Sequence, residues 1–284
     1  MNNFTNKIDF ELIVSARRTN PNGDPLNGNR PREDFDGFGE MSDVCIKRKI
    51  RNRLQDMGES IFVQSNERCD DGYDSLSNRA KNCAELAAAL KAKDNNAYAK
   101  AACEKWIDVR SFGQVFAFKD KNVSVGVRGP VSVHPAFTVS PVEIVDSQIT
   151  KSVNSEPTDG GKSSDTMGMK HRIEFGLYII KGSINYQLAE KTGFSDEDAE
   201  KIKEALRTLF VNDCSSARPD GSMEVNKLYW WKHNCPMGQY STAAVHRLLE
   251  IKRKDEEKRP TSIADYDIVV HTLEGLEMEV YEGL

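Results

Sequence analysis

Asp24, Asp34 and Asp36 fall in or just after one Gly- and Asn-rich stretch, RRTNPNGDPLNGNRPREDFDG, at residues 17–37. Clustered carboxylates can hold a divalent metal, and a metal so held activates water for phosphodiester cleavage. No His and no further acid stands at a fixed spacing from these three, so turn stabilisation by Asp side chains is the favoured reading. The same stretch offers a second chemistry. Gly23 and Gly28 permit positive φ and close backbone approach, and Asn20, Asn22, Asn27 and Asn29 add short polar groups without charge. A loop of this kind between a strand and a helix exposes backbone N–H groups that cradle phosphates. A basic helix carrying Lys47, Arg48 and Arg51 follows at once, and would add the positive field that an anion needs. The spacing is neither G-x-G-x-x-G nor a Walker motif, so no nucleotide site follows from it.

The rest of the chain holds weaker candidates. His171 is flanked by Lys170 and Arg172 and preceded by Met167 and Met169, within the polar run 152–171, which has no apolar period. A mobile segment ending in apolar and basic side chains can insert between bases and clamp a backbone. The other histidines have no ligand spacing, and no Ser, Cys or His arrangement suggests a nucleophile. EPTDGGKSS ends like a P-loop, but Glu156 stands where the first Gly belongs and no apolar strand precedes it. RSFGQVFA (Arg110–Ala117) resembles the sheet signature of RNA-recognition domains but departs from it at Ser111, Gln114 and Ala117, so core packing of Phe112 and Phe116 accounts for it as well. Six cysteines without a C-x-x-C pair read as free thiols.

Net charge is −5, which taken alone argues against a polyanionic partner. Its distribution matters more. Met41–Arg53 holds five cations against Asp43, a local +4, whereas Ile263–Leu284 holds six acids and no Lys or Arg, a local −6. Such asymmetry suits one face for an anion and another for a basic partner. No apolar run approaches a membrane span, and the amino terminus lacks the layout of a signal peptide, so a cytoplasmic protein is expected.

Elements must position these residues. IDFELIVSA (Ile8–Ala16) reads as a strand. Ser42 caps a helix to about Met57, with Ile46, Ile50, Leu54 and Met57 in one apolar stripe and Lys47, Arg48 and Arg51 on the opposite side. Residues 58–108 read as a helical insertion. Strands are expected at Gln114–Phe118, Val123–Val127, Val131–Val145 and Arg172–Leu188. FSDEDAEKIKEALRTLF (Phe194–Phe210) is the clearest helix, capped by Ser195. Strands YDIVVHTL and LEMEVY close the chain. This order is that of a split βαβ, ferredoxin-like sheet with insertions.

NPNGDP at Asn20–Pro25, SDVCIKRKIRN at Ser42–Asn52 and DTMGMKHRIEFGLY at Asp165–Tyr178 together resemble the backbone subunits of CRISPR Cascade complexes. The nearest group is type I-C (Cas seven, Csd two) of the RAMP superfamily, and the likeness runs over almost the whole chain. The resemblance implies an α+β fold: a ferredoxin-like palm, a modified RNA-recognition fold, with a helical insertion and a projecting thumb hairpin or loop. It places the palm at 1–57, 109–146 and 173–284, the insertion at 58–108 and the thumb at 147–172. It further implies a scaffold rather than an enzyme, in which copies stack head to tail along one CRISPR RNA. The bases stay free to pair with target DNA, and other Cascade subunits complete the complex. No cofactor, metal or membrane is implied.

Carried onto this sequence, Arg17, Arg18, Asn20, Asn22, Gly23, Asp24, Asn29, Lys47, Arg48 and Arg51 would contact guide phosphates. Gln148, Thr150, Met167, Lys170, His171 and Arg172 would act in the thumb, although ARPDGSMEVNKLYWW (Ala217–Trp231) could supply a second projecting hairpin. The acidic C-terminal strands, with Glu277 and Glu279, would face a neighbouring copy's basic surface. The alternative is a metal-dependent endoribonuclease of the type III backbone kind, using a loop Asp. A generic single-stranded RNA chaperone is a third reading.

Overall fold

The computed structural model describes residues 3–118, 123–150 and 167–284. Strand β1 (Ile8–Thr19) is buried on both faces. Ile8, Phe10, Leu12, Val14 and Ala16 enter one core and Ile13 another, which explains why its alternation in sequence is loose. The connector after it is not irregular throughout. Strands β2 (Gly23–Asp24) and β3 (Arg30–Pro31) pair as a small hairpin, and β4 (Glu40–Met41) joins the main sheet. Helix α1 (Asp43–Asp56) starts where expected, because Ser42 Oγ accepts from the Cys45 N–H at 3.2 Å.

The insertion folds as α2 (Leu76–Lys81), α3 (Ala84–Ala92), α4 (Asn95–Lys105) and α5 (Ile107–Phe112). Strands β5 (Gly113–Phe118) and β6 (Val123–Arg128), expected to join the main sheet, form their own two-stranded sheet. Phe116 and Val125 pack there in a separate core with Phe62, Leu86, Tyr98 and Trp106. The expected Val131–Val145 strand is broken into β7 (Val131–Val133), β8 (Ala136–Thr138) and β9 (Ile144–Thr150). Strand β10 (Met167–Ile184) starts earlier and ends sooner than expected. Its end is a cap: Asn185 Oδ1 accepts from the Leu188 N–H at 2.9 Å and opens α6 (Tyr186–Thr192). Helix α7 (Asp196–Arg207) carries a Ser195–Asp198 capping box. Strand β11 (Met223–Lys232), α8 (Thr242–Val245), β12 (Leu249–Arg253), β13 (Tyr266–Val270) and β14 (Glu277–Glu282) complete the chain.

The main sheet runs β14-β11-β1-β10-β8-β4, with β7 and β9 also on β10, and every pairing is antiparallel. Helices α1 and α7 cover one face through Ile46, Ile50, Leu54, Ile202 and Leu206, against Phe10, Leu12, Leu228 and Trp230. Phe10 and Trp230 stack there, ring centroids 5.6 Å apart. The β12–β13 hairpin and α8 cover the other face over Ile13, Leu177, Tyr229 and Trp231. Strand β11 thus lies inside the sheet and cannot be a projecting hairpin. All six cysteines are unpaired. Among the described residues no helix is long and apolar enough to cross a membrane.

Candidate nucleic-acid interface

The polar side chains of the opening connector mostly build the connector itself. Asn20 is buried and its Nδ2 donates to the Asn29 carbonyl at 2.6 Å. Asn22 Oδ1 accepts from both the N–H (2.9 Å) and the hydroxyl (3.0 Å) of Ser42, fastening the connector to the first turn of α1. Asp24 Oδ1 accepts from the Leu26 N–H (3.2 Å) and from Arg32 Nη2 (3.3 Å). Asn29 adopts φ 61°, and a Cβ added at Gly23 would lie 2.0 Å from its Oδ1, so only glycine fits there. Asp34 closes a turn by accepting from the N–H groups of Asp36 and Phe38, at 3.0 and 2.9 Å. Among the described residues, no group of three or more His, Cys, Asp or Glu is placed to hold a metal.

This connector meets the base of the β9–β10 hairpin. Asp146 and His171 face each other in register, with His171 Nδ1 hydrogen-bonded to Asp146 Oδ1 at 2.7 Å. Arg30, on the connector, forms an ion pair with the other Asp146 oxygen. The His171 hydrogen bond first, then Arg30, holds the Asp146 carboxyl below its ordinary range. Two stretches far apart in sequence, each singled out alone, are thereby joined at one carboxylate.

Beyond that junction the hairpin is solvated. Alternation puts Met167 and Met169 on the face of His171, 57% and 54% exposed, opposite Thr150 and Gln148. Gln148 Nε2 donates to Met167 Sδ at 2.7 Å. Lys170, on the other face, has no side-chain partner among the described residues. Arg172 binds Glu174 at 3.1 Å. Met167–His171, read from sequence as part of a flexible run, is strand because β9 pairs with it. The remainder of the expected thumb, 151–166, lies outside the described residues.

The basic helix face is corrected at Arg48 and Arg51. Lys47 pairs with Asp43 at 2.9 Å along its own helix. Arg48 Nη1 donates to the Val63 carbonyl at 2.6 Å, and burial lowers its pKa from the ordinary value. Arg51 Nε donates to Asp108 Oδ2 at 3.0 Å. Lys49, part of the same charge run, is buried in an ion pair with Asp213. Arg48 and Arg51 therefore tie α1 to the entry of the insertion instead of facing solvent as the helical wheel implied.

A second cluster of cations lies elsewhere. Arg17 and Arg18, at the end of β1, line a groove of about 640 Å³ together with Arg253 and Arg259. The latter two were missed because the Glu250–Arg259 run mixes both signs and shows no local excess. Leu26 and Phe35, also unanticipated, project fully into solvent from the connector.

Comparison with known proteins identifies the family. A curated "CRISPR-associated protein Cas7" of Haloferax volcanii is 26% identical over 287 residues, covering 95% of this chain and 83% of that protein. A chain of a solved "CRISPR RNA-guided surveillance complex, pre-nicking" superposes with a TM-score of 0.50 at 16% identity, covering 79% of this chain and 78% of that one, and so shares its fold. A chain of a second solved "CRISPR RNA-guided surveillance complex" has a TM-score of 0.46 at 17% identity, covering 79% and 68%. The family model for CRISPR-associated protein Cas7 matches residues 6–271, and the chain belongs to that family.

Proposed function

We propose that this chain is the CRISPR RNA-binding backbone subunit of a type I-C Cascade complex, working in the cytoplasm. Copies assemble head to tail along one guide, hold its backbone, and present its bases to target DNA alongside other Cascade subunits. The observation that carries this reading is the Arg30–Asp146–His171 junction, which sets the Gly/Asn connector against the base of a hairpin exposing Met167 and Met169. A connector that bends around phosphates beside two exposed thioethers suits a strand whose backbone is held and whose stacking is interrupted. Phe35 adds an exposed aromatic face for a base.

The strand order supports a ferredoxin-like palm. Beside β1 lie β11 on one side and β10 on the other, with β7, β8 and β9 beyond, and helices α1 and α7 share one face. That is the order of a split βαβ sheet whose second strand is broken into three pieces. The β9–β10 hairpin is the base of the thumb. Within the guide contacts, Arg17, Arg18 and Lys170 supply charge, and Asn20, Asn22, Gly23, Asp24 and Asn29 shape the connector. A scaffold without catalysis is favoured over the endoribonuclease, because Asp24 and Asp34 are engaged in closing the connector.

The test is to mix purified chain with single-stranded RNAs of increasing length, with and without Mg²⁺, and measure complex mass. Whole-subunit steps with RNA left intact are expected. A single stoichiometry would overturn the filament, and Mg²⁺-dependent cutting at regular spacing would overturn the non-catalytic role.

A further inference from the structure

We propose that the groove between the end of β1 and the β12–β13 hairpin binds the phosphodiester backbone of a single strand, with Arg253 and Arg259 among its phosphate contacts. This rests on the RNA-binding reading above and extends the strand's path beyond the connector. The groove encloses about 640 Å³. Its lining carries four arginines against two glutamates, Glu143 and Glu174, and a third carboxylate, Glu256, sits on Arg253, which leaves a net +1.

The carboxylates aim the guanidinium groups without consuming them. Arg18 gives only Nε to Glu174, at 3.4 Å, leaving both terminal nitrogens. Arg253 gives Nη2 to Glu256, including its carbonyl at 3.0 Å, and Arg259 meets Glu143 through Nη1 alone. Arg17 has no side-chain partner among the described residues. Each arginine thus keeps donors in a planar fork, the geometry that matches phosphate oxygens.

The apolar lining separates a strand from a small anion. Pro141, Phe175 and Pro260 contribute it, a surface that sugars and base edges can cover and that a free phosphate would leave wet. The position separates a strand from an acidic protein segment. Glu174 binds Arg18 of the groove and also Arg172 at the hairpin base, so the groove begins where the connector–hairpin junction ends. A strand leaving that junction enters it directly.

Fluorescence anisotropy with one single-stranded sequence as RNA and as DNA, over a salt series, tests this. The double variant Arg253→Ala with Arg259→Ala should lose about ten-fold in affinity, and the slope of log affinity against log salt should fall by about 1.4, for two phosphate contacts. Arg253→Lys with Arg259→Lys should keep the slope, and equal melting temperatures exclude misfolding. Loss on either strand supports the site and identifies the strand it takes. If the double Ala variant binds like wild type while Arg17→Ala with Arg18→Ala binds worse, the groove proposal falls and the RNA-binding reading stands. If neither double variant changes affinity or slope on either strand, both fall. Unchanged affinity with complexes that no longer grow with RNA length would assign the groove to a neighbouring copy, overturning it.

Discussion

Arg51 Nε lies 3.0 Å from Oδ2 of Asp108, a carboxylate fully withdrawn from solvent. Asp108 also accepts from the N–H groups of Phe62 (2.7 Å) and Val63 (3.0 Å). One buried charge thus secures α1, the segment that enters the insertion, and α5. Removing one partner of such a pair strands the other charge, at a cost of about 3–5 kcal/mol. Arg51→Ala should lower the unfolding midpoint by a corresponding amount in denaturant titration. The variant that remains folded should bind RNA like wild type; a selective loss of RNA affinity with unchanged stability would return Arg51 to the interface.

Glu11 predicts a pH dependence. Burial pushes its carboxyl up to about 7, and Lys181 at 2.9 Å offsets only part of that. The unfolded chain ionises this group near 4.5, so between about pH 4.5 and about pH 7 the folded chain holds the extra proton. Stability then falls as pH rises through that window, on the order of 3 kcal/mol in all. Glu11→Gln should flatten the fall. Urea midpoints at about pH 5 and about pH 8 measure it, and an equally steep fall in the variant would sink the assignment.

Met167 and Met169 should act on base geometry more than on affinity. Substituting both with Gly removes the exposed thioethers and leaves the Arg30–Asp146–His171 junction intact. Affinity for RNA should change less than about three-fold, since phosphate contacts supply most of it. Chemical probing of bases along the bound guide should lose its periodic pattern. The same reactivity profile in variant and wild type would count against a role in base displacement.

Glu277 and Glu279, paired in the expectation of a copy-to-copy contact, are separated by the structure. Glu279 accepts from Lys203 at 3.2 Å and from the Tyr281 hydroxyl at 2.7 Å, so it braces β14 against α7. Glu277 is exposed on the edge strand and has no partner among the described residues. Glu277→Lys should weaken assembly on long RNA without affecting stability. Glu279→Lys should lower the melting temperature. Assembly unchanged by Glu277→Lys would remove the acidic edge from the contact.

Local chemistry determined much of this molecule. Ser42 and the Ile46, Ile50 and Leu54 stripe specify α1, the Ser195–Asp198 capping box specifies α7, and Gly28, at φ 59°, specifies the bend of the connector, because each signal is complete within a few residues. The motifs at Asn20–Pro25 and Ser42–Asn52 also pointed to the family that the comparison with known proteins shows. Tertiary structure alone decided which partner each charge meets. The helical wheel sends Arg48 and Arg51 to the outside, but the Val63 carbonyl and Asp108 hold them, and Asp213, 164 residues further on, pairs with the buried Lys49. Nor does any local pattern make Met167–His171 a strand; its hydrogen-bond partners are on β9, across residues outside the described set. Arg17, Arg18, Arg253 and Arg259 share one groove only because the β12–β13 hairpin folds over the far face of the sheet. Periodicity reports how a segment faces a generic core, and the partner that claims a side chain comes from elsewhere in the chain.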